Sequence, residues 1–141
     1  VPLVIGQTFD YSLGNNIKAK ATFVRHGPVA AVAWRVELAG CSIVFSGDMN
    51  NQFDVLSAFA NEADILVANN AVPDNASGAA INLHMTPSTI AKIAKKAQVK
   101  QLVLSHFMKR TLAVQKETIS IISQKYPGPI YLATDGMVVS L

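Results

Sequence analysis

The chain has 141 residues, half of them apolar and 15% charged, with a net charge of +3. That size suits one domain around one core, residues 1–141, and the low charge excludes a disordered polyelectrolyte. Its longest apolar runs, such as AAVAW at 30–34, are far below the ~18 residues of a membrane helix, and its lone Cys41 excludes an internal disulfide or a Cys-based zinc finger.

No basic stretch followed by an apolar run opens the chain, so a soluble protein without a signal peptide is expected; the compartment stays open. A start at Val1-Pro2 rather than Met fits a processed product or a longer parent. KATFVR at 20–25, AAVAWRVEL at 30–38 and SIVFS at 42–46 read as strands, with Ala39-Gly40 as a hairpin turn between the last two. Cys41, at the edge of the third strand, is expected as a buried core thiol. Residues 52–62 place Val55, Leu56, Phe59 and Ala60 on one helical face. Ile65–Ala68 is a short buried strand, and 69–83, with its NN, PDN and SG, reads as a long polar loop.

TPSTIAKIAKKA at 86–97 is the clearest helix. Thr86 is a natural N-cap, Pro87 suits the first helical position, and Ile90, Ile93, Ala94 and Ala97 share a face. Lys95 and Lys96 suit its C-terminal dipole; with Lys92 and Lys100 they form a solvated face. LVLS at 102–105 reads as a buried strand, 112–125 as a second helix, and 129–132 and 137–140 as short strands around the turn Asp135-Gly136. Alternation of strands and helices in the second half predicts a layered α/β domain.

Polar residues recur at strand ends. His26 follows FVR, Asp48 follows IVFSG, His106 follows LVLS, His84 precedes the capped helix, and Asp135 follows YLAT. In α/β sheets such ends are where sites assemble. Each residue also has an ordinary reading: a histidine satisfied by its neighbours, Asp48 as a helix cap, His84 in a capping loop, Asp135 in a turn, and Met49, Met85 and Met108 as core fillers. Together, imidazoles and a carboxylate are the donors that zinc takes in catalytic sites. Asp48 is the candidate to bridge two ions that would activate water for hydrolysis, with Gly47 allowing a close backbone turn.

HGPVAAVAWRVELAGCSIVFSGDMN, a histidine, a hairpin and then Ser-Gly-Asp, resembles successive motifs of the metallo-β-lactamase superfamily. LHMTPSTIAKIAKKAQVKQLVLSHF resembles its ribonuclease Z and arylsulfatase-like branch, in which His-X-Thr opens a helix and a strand ends in Ser/Thr-His-Phe. The tail YLATDGMVVSL also looks like that branch. The resemblance, over residues 20–141, implies the C-terminal half of an αββα sandwich, a mixed sheet with helices packed on it. It implies His26 on one metal, His106 on the other, Asp48 bridging both, and His84 as a proton donor or electrostatic aid near the scissile bond. It also implies two zinc ions, with manganese or iron as substitutes, and a phosphodiester, sulfate or other ester as substrate. RNA is a conceivable substrate, although no tRNA-binding arm is recognisable. The family's His-X-His-X-Asp-His motif is absent.

Three functions follow. The first is part of a metal-dependent hydrolase whose site this chain fills incompletely. The second is a non-catalytic assembly module that pairs its apolar sheet face with an N-terminal fragment or a second copy. The third is an unrelated α/β domain whose edge histidines are structural.

Overall fold

A computed structural model describes residues 4–141 of the chain. Seven strands form one sheet in chain order: β1 (Thr8–Ser12), β2 (Lys18–His26), β3 (Val29–Leu38), β4 (Cys41–Phe45), β5 (Ile65–Asn69), β6 (Gln101–Ser105) and β7 (Ile130–Leu132). β1 to β4 run antiparallel through tight turns, and β4 to β7 run parallel. The parallel part needs crossovers, supplied by α1 (Val55–Phe59), α2 (Ala79–Leu83), α3 (Pro87–Lys96), α4 (Lys109–Leu112) and α5 (Gln115–Ser123). The mixed α/β sheet expected from the sequence is what forms. Among the described residues no helix is long and apolar enough to cross a membrane.

Strand alternation sorts the side chains between two faces. One face sends Val24, Ala33, Val44, Leu66, Ala68, Leu102 and Leu104 into the core, against Leu56, Ile90, Ile93 and Ile122 of the helices. The other face carries a row in direct register across every strand: Phe9, Ala21, Trp34, Phe45, Val67, Val103 and Tyr131. Its aromatics stand open to solvent, Trp34 at 39% and Phe45 at 42%. The helices cover one face; on the other the aromatics are partly exposed, while Ala21 and Val103 between them are buried.

Local signals account for much of this. Ala39 and Gly40 both have positive φ, the backbone a two-residue hairpin turn requires. Thr86 caps α3 by accepting the Thr89 N–H, and Pro87 occupies its first turn. Asp135-Gly136 is a turn, with Gly136 at φ 75.

Several expectations need correction. β1 was missed because a five-residue, fully exposed edge strand carries little apolar signal. The helix expected over 52–62 is a 3-10 turn at Gln52–Asp54 followed by the short α1, because Phe53 and Asp54 adopt positive φ. The loop expected over 69–83 contains α2, a single turn too short for periodicity, held by the Asn50 amide donating to the Asn82 carbonyl. The helix expected over 112–125 starts earlier and splits, since Val114 leaves helical geometry at φ −123, ψ 24. Residues 137–140 make no strand; the tail meets β6 through the Gln101 side chain, which donates to the Ser140 carbonyl. Cys41 is only half-buried, at the start of β4. Met49 and Met85 fill the core, whereas Met108 is exposed.

Candidate active site

β2, β4, β5 and β6 point the same way, so their C-terminal ends share one edge of the sheet. His26 ends β2, Asp48 lies three residues beyond β4, and His106 directly follows β6. His84 comes from the link between α2 and α3. The sequence holds three histidines, and all three meet here. Ring centroids of His26 and His84 are 5.1 Å apart, and those of His84 and His106 are 6.1 Å apart. Asp48 Oδ1 lies 3.6 Å from His84 Nδ1 and 3.4 Å from His106 Nε2.

The backbone is bent to bring them in. Gly47 has φ 60, and a Cβ there would collide with the Val32 carbonyl oxygen. The glycine makes the close turn before Asp48, and the passing β3 backbone leaves no room for a side chain there. His106 itself has φ 55, an uncommon state for a residue with a side chain and one that clusters at functional sites. Gly27, φ 55, leaves room for Leu83, whose carbonyl oxygen lies 2.8 Å from His26 Nδ1. A carbonyl only accepts, so Nδ1 carries the proton and Nε2 keeps its lone pair for a ligand.

His84 is different. Its Nδ1 is buried without a hydrogen-bond partner. Burial holds its pKa below the ordinary histidine value, only partly opposed by Asp48, so the ring favours the neutral form. Nearby cationic charge, including Arg110, pushes the same way.

Asp48 is not a helix cap. Asn51 occupies the N-cap position of the following turn, and Asp48 Oδ1 accepts from Asn69 Nδ2 at 2.9 Å. Asn69, which ends β5, and Ser105, which ends β6, belong to the site and were missed, since Asn69-Asn70 reads as ordinary loop sequence. The position carried the signal: ILVA followed by Asn repeats the pattern of LVLS followed by His. Asp135 stays in its exposed turn. Beside His26 lies a groove of about 590 Å³ lined by Arg25, Gly27, Asn50, Gln52, Asn82 and Leu83 among others. A larger cleft, about 770 Å³, lies at the opposite end of the sheet and is lined by the ion pairs Arg35–Glu37 and Lys100–Asp64.

Residues 1–107 match the beta-lactamase superfamily domain. The chain belongs to the beta-lactamase superfamily. Within the superfamily it falls in the ribonuclease Z-like branch: a ribonuclease Z of Myxococcus xanthus is 30% identical over 103 residues, 72% of this chain and 33% of that protein. The metallo-beta-lactamase fold protein YhfI from Bacillus subtilis superposes with a TM-score of 0.78 at 22% identity, over 92% of this chain and 51% of that one. The short form of human tRNase Z gives a TM-score of 0.73 at 24% identity, over 96% and 47%. The chain thus spans about a third of the ribonuclease Z relative and about half of each superfamily structure.

The superfamily fold raises the question of whether these residues fit a metal. Their chemistry does: a carboxylate, His26 with a free Nε2, and His106 Nε2 beside the carboxylate are donors zinc accepts. Their number does not complete a shell. Among the described residues no three His, Cys, Asp or Glu side chains are placed to hold one ion. The described residues therefore fit a metal by donor type and not by number.

Proposed function

We propose that the chain supplies the bridging and proton-handling part of a metal-dependent hydrolase site acting on a phosphodiester or a related anionic ester. The observation that carries this is the meeting of His26, His84 and His106 around Asp48 at one sheet edge. Zinc, or manganese or iron in its place, would supply Lewis acidity and activate water when bound. His26 and His106 are the imidazoles that would each hold an ion through Nε2, and Asp48 is the carboxylate that would be shared between them. His84 stands over Asp48 with no other partner and is the group left for the leaving oxygen. Burial keeps it neutral in this state, and an anionic substrate would offset that burial and favour its protonated form.

The partly exposed sheet face supports a further part of the reading. The superfamily structures carry about as much chain again, and the open aromatic row needs a cover. The proposed cover is a second layer bringing the missing ligands, from the same polypeptide or a separate one. The assembly module and the hydrolase then become one function.

Asp48→Ala in the intact parent protein tests this, with zinc content read beside hydrolysis of bis(p-nitrophenyl) phosphate. Loss of most metal and most turnover is expected, because no other residue proposed for the site can bridge. Near-normal metal content would overturn the assignment.

A further inference from the structure

We infer that Asn69 is a positioning residue for Asp48, the centre of a polar latch that ties the ends of β4, β5 and β6 and fixes the plane of the carboxylate. The inference rests on the metal-bridging reading of Asp48. Asn69 Nδ2 donates to Asp48 Oδ1 at 2.9 Å, and Ser105 Oγ donates to Asn69 Oδ1 at 3.1 Å. The Asn69 backbone N–H donates to Ser46 Oγ at 3.0 Å, and that hydroxyl donates to the Gly47 carbonyl at 2.8 Å.

The amide has only one sensible orientation. An ionised carboxylate solely accepts, so the Asn69 nitrogen must face Asp48, and the Ser105 hydroxyl must then donate to the amide oxygen. Both ends of the amide are occupied, and its backbone is pinned by adjacent parallel strands in which Asn69 pairs with Ser105. Asp48 Oδ1 is also the oxygen that His84 and His106 approach. Taking one lone pair there leaves the other free, with both on Oδ2. The carboxylate plane is thereby fixed, which would favour sharing its two oxygens between two ions over rotating to hold one ion through both. The Asn69 side-chain bonds add nothing to the ladder of β5 to β4 and β6, which backbone pairing already makes.

Cobalt(II) titration of the purified protein, with visible absorption and apo-protein thermal unfolding beside it, tests the latch. Asn69→Leu keeps volume but cannot donate. It should bind cobalt about 10–100-fold more weakly, the range for lost outer partners of metal ligands, with a changed absorption band and a nearly unchanged unfolding midpoint. Ser105→Ala, which keeps the donor but frees its orientation, should lose less in the same direction. Should Asn69→Leu fail to fold, Asn69→Asp carries the test. It keeps the shape and the bond from Ser105 but cannot donate to Asp48, and should alter the cobalt band. Wild-type affinity and spectrum in these variants, while Asp48→Ala abolishes binding, would reduce Asn69 to a structural role. A wild type that binds no more tightly than Asp48→Ala would overturn the metal reading itself, and this inference with it.

Discussion

His84 is pulled two ways: burial disfavours its charged form, and the Asp48 carboxylate favours it. A buried ring nitrogen with no partner is a cost the fold would ordinarily avoid, since leaving a polar group unpaired costs roughly 1–3 kcal/mol. Its retention suits a group that finds its partner only when substrate arrives. His84→Ala should therefore keep metal and keep or slightly raise thermal stability, while turnover falls about 10²–10⁴-fold, the usual contribution of a positioned acid or base. Metal analysis beside kinetics decides, since metal lost together with activity would make His84 a ligand. At this scale the sequence exposed its chemistry where it was rare. Two histidines and one Gly-Asp at or just past strand ends, and a third histidine ahead of the capped helix, stand out against an apolar chain. Asn69 did not, because an asparagine closing a strand has the same composition as an asparagine opening a turn. Its role depends on which carboxylate lies opposite, and only the parallel pairing of β4, β5 and β6 determines that.

At the end of the sheet away from the site, Asp64 joins three elements. Its Oδ2 accepts from the Ser42 backbone N–H at 2.7 Å and from Ser42 Oγ at 3.2 Å, and Lys100 Nζ donates to Oδ1 at 2.7 Å. These bonds, the Lys100 contact foremost and the Ser42 N–H next, hold its pKa below the ordinary value. A depressed carboxylate contributes stability that is fully present above its unfolded value, 3.8, and lost as pH falls through the lower folded value. Asp64→Asn should accordingly lower stability at neutral pH by about 1–3 kcal/mol and flatten the loss of stability below pH 3.8. Urea unfolding from pH 7 down to pH 2 measures both; an unchanged acid slope would remove Asp64 from this role. Lys100→Ala should cost less, because the lysine is largely exposed and its pair is solvent-screened. Elements of this kind were readable where local signals agreed, as in α3 with its cap, proline and apolar face, and in β3–β4 with their hairpin turn. They were not readable where tertiary contacts make the element: α2 is one turn pinned by Asn50, and α4 and α5 part at Val114 where no proline or glycine marks the break.

Across the whole molecule, the unequal treatment of the two sheet faces dominates. Every strand contributes to the row, and its four aromatics, Phe9, Trp34, Phe45 and Tyr131, are each partly exposed, with the buried Ala21 and Val103 set among them. Full burial of an exposed aromatic is worth roughly 1.5–3 kcal/mol, and these are each about 40% exposed, so covering each adds only a part of that, and the four together favour association. The chain alone should form dimers or larger species by light scattering at micromolar concentration, and the covering layer, once supplied, should displace that self-association. Trp34, the one tryptophan of the chain, sits on the row and reports on it. Its emission should shift to shorter wavelength as concentration rises or as the layer binds. Phe45→Lys puts a charge in direct register with Trp34 at the centre of the row, where covering it would bury an unpaired ammonium. That variant should remain monomeric, with long-wavelength Trp34 emission, while its helices and its apo unfolding transition persist because the core lies on the opposite face. A wild-type chain that stays monomeric at high concentration, with Trp34 fully solvated and no binding of a second layer, would show that this face has no partner.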